Sequence, residues 1–587
     1  MKSTIHLIDR YFSAAAMLAV VALSAVLYLP ALNSGFFLDD ASSIRAEPLM
    51  LQPEIWPIFE KFGLRFIGYL SFWGNYQLSG EAPAAFRATN VIIHALNGLL
   101  VYFLSRHLFR LSDRSRSDTA EDTKTDSFAD TYSATNVLAL GVALLFVVHP
   151  LQTQAVTYIV QRLGSLTTLF YLTAMLAWLQ VADSKRLVAR LIWLAIFLTS
   201  ALLAFFTKQN AFTLPLVLVL LELLILRRVS RKISLILLSV FALSFVAIAR
   251  LEPELLIAVD RLTRETTAIS RWEYFQHQWV ILWMYMGKVI WPYPQVLDYG
   301  IALGAYSKMQ TIIAGLAHGL AIIAALTVRG KYPLVAFGVL FFYLTHSVES
   351  GFIPIRDLAF EHRNYLPLFG LFLASGAVVR RGLSKSPLSV RALAAISLCC
   401  LLFFVQATVA RNQVWANQEA LLRQDIAHNA SNTRARYNLA VWLQRNDRSS
   451  ESIEALREMF AAEGTVIDEV HLTLFITLLI DAGRYMEAFE FAQKISTLDI
   501  HPRLRGDYLR LIATSLTGMG IDVLAADMFE ISMRFAPLTY EGGVAYGYSL
   551  LQLGRFGRAE KLITNLETRF GERPRLRALR EALPRRP

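Results

Sequence analysis

Cysteine and charged residues are scarce in this chain, and each scarcity excludes a class of protein. Only two of the 587 residues are cysteines, and Cys399 and Cys400 are neighbours that cannot form an ordinary disulfide with each other. A fold stabilised by disulfides is therefore excluded. Charged residues make up 18% and hydrophobic residues 55% of the chain, and the mean hydropathy is +0.43. This composition is rare among soluble proteins and predicts an all-α, polytopic membrane protein.

Long hydrophobic runs account for the composition. The first run begins after Lys2 and Arg10, where a signal peptide is the alternative to a membrane span. The sequence Tyr28-Leu29-Pro30 is a poor cleavage site, so an uncleaved span is the preferred interpretation. Runs suited to crossing a bilayer lie near residues 12–32, 88–109, 136–149, 159–182, 191–207, 211–226, 233–249, 309–328, 333–346, 365–379 and 391–410.

The basic residues orient these spans. The net charge of +11 comes largely from Lys and Arg between the hydrophobic runs, which favours membrane topology over nucleic-acid binding as its cause. If the N-terminus is in the cytoplasm, the loops rich in Lys and Arg all fall on the cytoplasmic side only when a further hydrophobic run, 276–292, does not cross the whole membrane. We therefore expect a membrane domain over 1–410 with about eleven spans and a re-entrant helix at 276–292. We also expect a disordered cytoplasmic loop at 111–134 and an extracytoplasmic chain after residue 410.

The residues after 410 show the pattern of short amphipathic helices. After a connector at 411–431, glycines at 483, 520 and 554 each separate two helical segments, and Asp447 occupies a weaker version of this position. The spacings of 36, 37 and 34 residues are close to the period of about 34 in tetratricopeptide repeats. We expect three to four degenerate repeats over 432–572, followed by a basic tail over 573–587. Such repeats offer a concave surface for a peptide or protein; a lid or a dimerisation platform is the alternative.

Polar residues of the membrane domain collect at the predicted outer ends of the spans. This placement favours a site that opens to one compartment over a transport path through mid-bilayer. The adjacent carboxylates of Asp39 and Asp40 follow the first span and offer a general base or a pair of divalent-metal ligands. Arg, Lys and His at the same ends offer cationic partners for a phosphate. A lipid-linked phosphosugar needs both kinds of group, and apart from such a cation no cofactor is indicated.

Each of these side chains also has a purely structural interpretation. Asp40 has the position of an N-cap for a short helix that begins near Ala41. Arg162 is placed to extend toward the membrane interface, His149 falls at a helix end, and Lys208 resembles any lysine at the end of a span. A site is indicated mainly because all these polar residues are predicted on the same side of the membrane, and not by any single residue.

Several segments resemble motifs of the C-type (GT-C) membrane glycosyltransferases. The likeness is strongest to a bacterial branch fused to tetratricopeptide repeats and related to the animal transmembrane-and-tetratricopeptide O-mannosyltransferases. The matching segments are Phe37–Asp40, Asn90–His94, His149–Arg162, Lys208–Ala211, Val296–Tyr299, Glu349–Asp357, Phe360–Pro367 and Arg411–Trp415. The resemblance spans nearly the whole chain. Two places depart from the family pattern, Arg65-Phe66-Ile67 and Lys208-Gln209, and they leave the sugar specificity open.

The resemblance implies an inverting transfer of a sugar from a polyprenyl-phosphate-linked donor to a hydroxyl of a protein acceptor. It implies the outer face of a bacterial inner membrane, with the acceptor recruited by the repeats and no nucleic-acid partner. Asp39 would be the base, and Asp40 would orient the acceptor or take that role itself. The other implied positions are Arg363, His362, Glu361, Lys208, Arg162 and His149 for the donor, and Arg65, Gln154 and Tyr299 for the acceptor.

Three other functions remain compatible with the sequence. A non-catalytic membrane anchor would use the repeats as a scaffold for an envelope complex. A transporter would move lipid-linked sugars across the membrane. A polysaccharide ligase or polymerase would differ from the glycosyltransferase chiefly in its acceptor, which the sequence does not name.

Overall fold

The structure is a computed structural model that describes residues 2–117, 128–227, 266–302, 304–383, 387–462, 468–495 and 504–584. Across these ranges the regular secondary structure is helical and contains no strand, so the predicted all-α class is confirmed. The chain divides into two compact units, Met1–Leu421 and Leu422–Pro587. The predicted span at 233–249 lies outside the described residues.

The first unit is built from long apolar helices joined by short, tightly wound turns. Its α-helices are α1 Lys2–Tyr28, α2 Trp56–Phe62, α3 Phe66–Ser79, α4 Pro83–Ser117, α5 Phe128–Val148, α6 Thr153–Thr157, α7 Arg162–Asp183, α8 Leu187–Phe205, α9 Leu214–Leu221, α10 Arg271–Ile290, α11 Lys308–Val328, α12 Pro333–His346, α13 Pro367–Leu383 and α14 Pro387–Trp415. The 3-10 and π-helical turns that carry polar residues are Ala41–Arg45, Gly63–Arg65, Pro150–Gln152, Ile159–Gln161, Gln209–Thr213, Glu222–Leu226 and Glu361–Asn364.

Several of these helices are long and apolar enough to cross a membrane. Among the described residues seven qualify, and an eighth follows if Ala134–Val148 and Pro150–Thr157, which meet at a 52° bend, form one span. Helix α10 holds buried His277, Gln278 and Lys288 and is not among them. The expected number of eleven spans and the re-entrant placement of 276–292 stay predictions.

The predicted disordered loop at 111–134 is wrong at both of its ends. Helix α4 continues to Ser117 and α5 begins at Phe128; the loop positions between them, 118–127, lie outside the described residues. Polar groups pair between the helices near this end. The Asp113 carboxylate accepts a hydrogen bond from the Thr135 hydroxyl (3.4 Å) and forms an ion pair with Arg380 of α13.

Helix α4 lies at the centre of the first unit and packs against α1, α5 and α7. A small residue permits the close approach: a Cβ at Gly98 would lie 2.7 Å from Val20 of α1 and 2.5 Å from Val147 of α5. Helices α12 and α13 approach still more closely. A Cβ at Gly338 would overlap the carbonyl oxygen of Gly370 and lie 2.9 Å from the Cβ of Ala374.

The second unit consists of short helices that pair with their neighbours along the chain. Helix α15, Gln418–His428, contains the boundary, and the following helices are α16 Thr433–Arg445, α17 Ser449–Ala461, α18 Glu469–Asp481, α19 Tyr485–Ile495, α20 Arg505–Gly518, α21 Asp522–Ser532, α22 Tyr540–Gln552, α23 Phe556–Phe570 and α24 Pro574–Glu581. The predicted turn residues Gly483, Gly520 and Gly554 have φ values of 72°, 75° and 68°, and Asp447 has 59°. This left-handed conformation suits glycine and ends the first helix of each pair.

We expect Gly338→Ala to lower the stability of the first unit by about 1–3 kcal/mol, because the added methyl group has no room between α12 and α13. The measurement is the thermal unfolding midpoint of the purified protein in detergent. Gly141→Ala on α5 is the matched control, since nothing lies within 4 Å of its Cβ. Equal midpoints for the two variants would contradict the close packing.

Candidate active site

Asp40 ties the first outer loop to the turn at Ile159–Gln161. Its side chain is fully buried, and its two carboxylate oxygens accept separate backbone hydrogen bonds, from Phe37 (3.1 Å) and from Val160 (2.7 Å). The turn between Phe37 and Asp40 includes Leu38 with a φ of 37°. A helical turn does begin at Ala41, yet the Asp40 side chain makes no capping hydrogen bond to it. Asp40 is thus a tether between two distant segments and does not cap the helix that follows.

Asp39 has the opposite environment. Its side chain is exposed, while its backbone N–H donates to the hydroxyl of Tyr158 at 3.0 Å. Burial, and then the carboxylates of Asp40 and Asp39, hold the pKa of Tyr158 well above its usual value, so its hydroxyl keeps its proton. Burial also raises the pKa of Asp40 to about 7, against the lowering effect of its two N–H donors and Arg87. The pair therefore divides into a buried tether and an exposed carboxylate.

Arg87 is the residue of this region that sequence reasoning missed. It is buried near the start of α4, and its guanidinium donates to the backbone carbonyls of Ser34, Gly35 and Thr157, the last at 3.0 Å. These bonds fix the loop that follows α1 against the start of α4 and the end of α6. The one signal in the sequence was the position of Arg87 at the edge of an apolar run. An ordinary arginine at the end of a membrane span has the same position, so this signal did not single Arg87 out.

Arg162 and His149 lie at the two ends of the matching segment His149–Arg162, and both are fully buried. The guanidinium of Arg162 donates to the side chain of Asn90 (2.6 Å) and to the backbone carbonyls of Phe86 (2.8 Å) and Ser71 (3.0 Å). The His149 ring contacts the Val289 carbonyl at 3.0 Å and accepts the N–H of Leu151 at 3.3 Å. These contacts hold helices and turns together.

A buried ion pair lies at the start of the Gln209–Thr213 turn. The ammonium of Lys208 is 2.6 Å from one carboxylate oxygen of Glu349, and the amide of Asn210 donates to the other at 2.9 Å. Only about a tenth of either charged side chain is exposed, 12% for Lys208 and 10% for Glu349. Burial opposes ionisation of Glu349, but Lys208 and Arg363 outweigh it and hold its pKa below the usual value.

Arg363 and His362 lie beside this pair on the turn Glu361–Asn364. The guanidinium of Arg363 donates to the carbonyls of Asp357 (2.6 Å) and Leu358 (2.9 Å). The hydroxyl of Tyr274 connects the two groups, because it donates to the Glu349 backbone carbonyl at 2.6 Å and lies 3.5 Å from Arg363. We call Lys208, Glu349, His362 and Arg363 the cationic cluster.

Gln154 connects this cluster to the matching segment His149–Arg162. Its amide oxygen accepts the backbone N–H of His362 (2.8 Å) and lies 3.1 Å from the His362 ring, and its NH2 donates to the Leu297 carbonyl at 2.7 Å. Glu361 faces away from the cluster into a separate set of contacts, accepting the Tyr299 hydroxyl at 2.8 Å and the Val296 N–H at 3.2 Å. Burial raises the pKa of Glu361.

Arg65 is half-buried at the end of the Gly63–Arg65 turn. The N–H of Ile67, two residues later, donates to the Phe206 carbonyl at 2.8 Å, so this loop adjoins the one that carries Lys208.

The structure thus places the predicted site residues in two groups, Asp39 with Asp40, and Lys208 with His362 and Arg363. Two residues of the segment His149–Arg162 contact these groups: Tyr158 contacts Asp39, and Gln154 contacts His362. Within the described residues no three His, Cys, Asp or Glu side chains are arranged to hold a metal ion.

Comparison with known proteins gives several relatives and no matching family model. A protein O-mannosyl-transferase of Caenorhabditis elegans is 21% identical over 466 residues, which cover 74% of this chain and 61% of that protein. Proteins of the same name from Drosophila melanogaster and Mus musculus are each 30% identical over a third of this chain. The match spans only 21% and 20% of those two proteins. The chain is therefore similar to part of several protein O-mannosyl-transferases.

We expect Asp40→Asn to destabilise the protein by about 1–3 kcal/mol, because an amide NH2 would face one of the two backbone N–H groups that Asp40 now accepts. The thermal unfolding midpoint in detergent measures this loss. Asp39→Asn is the control, since its side chain is exposed, and its midpoint should equal that of the wild type. A stable Asp40→Asn variant would show that the tether is unimportant for stability.

We also expect Lys208→Met to be more destabilising alone than together with Glu349→Gln. Removing the lysine leaves the buried Glu349 carboxylate without its ion-pair partner, whereas the double variant removes both members of that pair. The four midpoints of this double-mutant cycle should give a coupling of about 1–3 kcal/mol. Additive effects would mean that the two side chains do not depend on each other.

Proposed function

We propose that this protein transfers a sugar from a polyprenyl-phosphate-linked donor to a hydroxyl group of a protein acceptor. One observation carries the proposal: Asp39 presents an exposed carboxylate on a loop that Asp40 and Arg87 fix from within. The similarity to proteins named O-mannosyl-transferases supports protein glycosylation as the class of reaction and mannose as the sugar. The location is the bacterial inner membrane.

Asp39 is the base in this proposal. Its carboxylate takes the proton of the acceptor hydroxyl as the hydroxyl oxygen attacks the anomeric carbon of the sugar. The bond from that carbon to the phosphate oxygen breaks, and the lipid phosphate leaves with the electron pair. Attack opposite the leaving group inverts the anomeric centre. Tyr158 holds the Asp39 backbone in place, and Asp40 acts through the loop as a positioning residue.

The cationic cluster supplies the partner of the leaving phosphate. Lys208 and Arg363 carry two positive charges against the one negative charge of Glu349. Burial and the neighbouring Lys208 hold the pKa of His362 well below its usual value, so the ring is neutral, and the cluster has a net positive charge. Such a group favours the charge that develops on the departing phosphate. Arg162 and His149, which are buried among protein contacts, act in this proposal as supports of the site.

Basic residues at the ends of the membrane helices that lie away from the candidate site support a site on the outer face. Lys185 and Arg186 lie between α7 and α8, Lys331 lies between α11 and α12, and Arg380 and Arg381 end α13. Basic residues of this kind mark the cytoplasmic side of membrane proteins. The candidate site lies at the opposite ends of α7, α12 and α13, which favours the outer face.

The second unit is proposed to recruit the protein acceptor. Its paired helices, with left-handed turn residues at 34- to 37-residue intervals, support a short tetratricopeptide solenoid. Repeats of this kind bind extended segments of partner proteins along their inner surface. A protein acceptor with accessible serine or threonine side chains fits this role.

We expect Asp39→Asn to reduce transfer by about 10²–10⁴-fold, the usual contribution of a general base, without changing the unfolding midpoint. The measurement is intact-mass analysis of envelope proteins from cells that lack the gene and are complemented with each variant. The wild type should restore a hexose mass that the deletion strain lacks.

Glu54→Gln is the matched control, because Glu54 is an exposed acid on the same outer segment and makes none of the contacts that hold Asp39. It should restore full glycosylation. Normal glycosylation by Asp39→Asn would overturn the assignment of the base. If deletion of the second unit then abolished function, the scaffold alternative would be favoured.

A further inference from the structure

An apolar patch lies on the segment that follows the loop of Asp39 and Asp40. Four large hydrophobic side chains of this segment are between 41% and 71% exposed, and we call them the loop patch: Leu51, Ile55, Trp56 and Leu64. Large apolar side chains exposed so close together mark a surface that contacts a membrane or another protein.

Contacts with α3 fix the backbone of the loop patch. The indole N–H of Trp73 donates to the Gln52 carbonyl at 2.8 Å, and the side-chain amide of Gln77 donates to the Met50 carbonyl at 2.9 Å. Both residues next to Leu51 are therefore bonded to the same helix. The patch presents its side chains from an ordered surface and not from a loosely attached loop.

The loop patch adjoins the end of a helix whose surface faces lipid. Helix α8, Leu187–Phe205, is apolar enough to cross a membrane, and only 11% of the residues in its most apolar stretch are buried in the protein. Its 19 residues span about 28 Å, close to the hydrocarbon thickness of about 30 Å. Phe206, which follows α8, therefore lies at the boundary between the hydrocarbon and the lipid headgroups.

Aromatic contacts connect this boundary to the patch. The centre of the Phe206 ring lies 6.2 Å from that of Phe59 in α2, and the Phe59 ring lies 5.1 Å from the ring of Trp56. The Trp56 ring is apolar, while its indole N–H donates to the Glu60 carboxylate at 2.6 Å. Tryptophan is enriched at the membrane interface because it combines an apolar ring with a polar edge. Helix α2 is therefore level with the end of α8.

We infer that the loop patch inserts into the lipid leaflet on the side of the candidate active site. Lipid is the occupant because the patch continues the lipid-facing surface of α8 through Phe206 and Phe59. The insertion is shallow, since Glu54 and Lys61 on the same segment are exposed and need water or polar headgroups. It fixes the level of the loop that carries Asp39 relative to the bilayer.

The test is electron paramagnetic resonance of nitroxide labels on the full-length protein in lipid nanodiscs. The native cysteines are first removed by Cys399→Ser and Cys400→Ser, and single labels are then attached through Leu51→Cys or Trp56→Cys. Collisions with oxygen, which concentrates in lipid, and with a water-soluble nickel chelate give the depth of each label. Both labels should lie about 5–10 Å deep, the usual depth of an interfacial apolar face.

Two further labels are matched controls on exposed positions. Leu198→Cys lies on the exposed surface of α8, eight residues or about 12 Å before Phe206, and its label should be deeper than those of the patch. Ala46→Cys lies on the same segment as the patch, next to Arg45, which forms an exposed ion pair with Glu81. Its label should collide freely with the nickel chelate.

Two results would overturn the inference. If the labels at Leu51 and Trp56 collide with the nickel chelate as freely as the label at Ala46, the patch faces water. If they are protected from both oxygen and the chelate, a protein surface such as a second copy covers the patch. Because all four labelled side chains are exposed, the unfolding midpoints should equal that of the wild type.

Discussion

The candidate site depends on one buried carboxylate. Asp40 accepts the N–H of Phe37 and the N–H of Val160, which are separated by more than a hundred residues in sequence. An irregular loop at the edge of a membrane has few backbone partners of its own, and an unsatisfied N–H there is costly. By satisfying one N–H in each segment, Asp40 fixes the loop after α1 against the turn before α7. Asp39 is held in place as a consequence, with its side chain still exposed.

The same reasoning explains why the His149–Arg162 segment is so thoroughly buried. It breaks a potential membrane span into short turns, and its polar groups bind other parts of the protein in place of water. Gln154 reaches the His362 turn, Tyr158 reaches the Asp39 backbone, and Arg162 reaches α3 and α4. Non-helical backbone at membrane depth is tolerated where protein surrounds it. The segment therefore acts as the common support for both groups of candidate residues.

The sequence allowed the helical class and many of the long helices to be predicted, because hydrophobic run length is a local property. The turn glycines of the second unit were predictable for the same reason, since φ above zero favours glycine whatever its partners. The roles of individual polar residues could not be predicted from the sequence. Whether Arg162 binds a ligand or three protein oxygens, and whether Lys208 faces Glu349, depends on segments brought together only by folding. Arg87 was missed because its partners are backbone carbonyls, which carry no signature in the sequence.

Burial separates the charged residues into those that build the site and those available to a substrate. A charge with all its partners inside the protein has already offset its desolvation, and a ligand could gain from it only by breaking those contacts. Arg87, Arg162 and Asp40 belong to that class. Asp39 does not, because its side chain is exposed while its backbone N–H donates to the Tyr158 hydroxyl. In the proposed reaction the acidic pair thus acts as one unit, in which buried Asp40 supplies geometry and exposed Asp39 is the base.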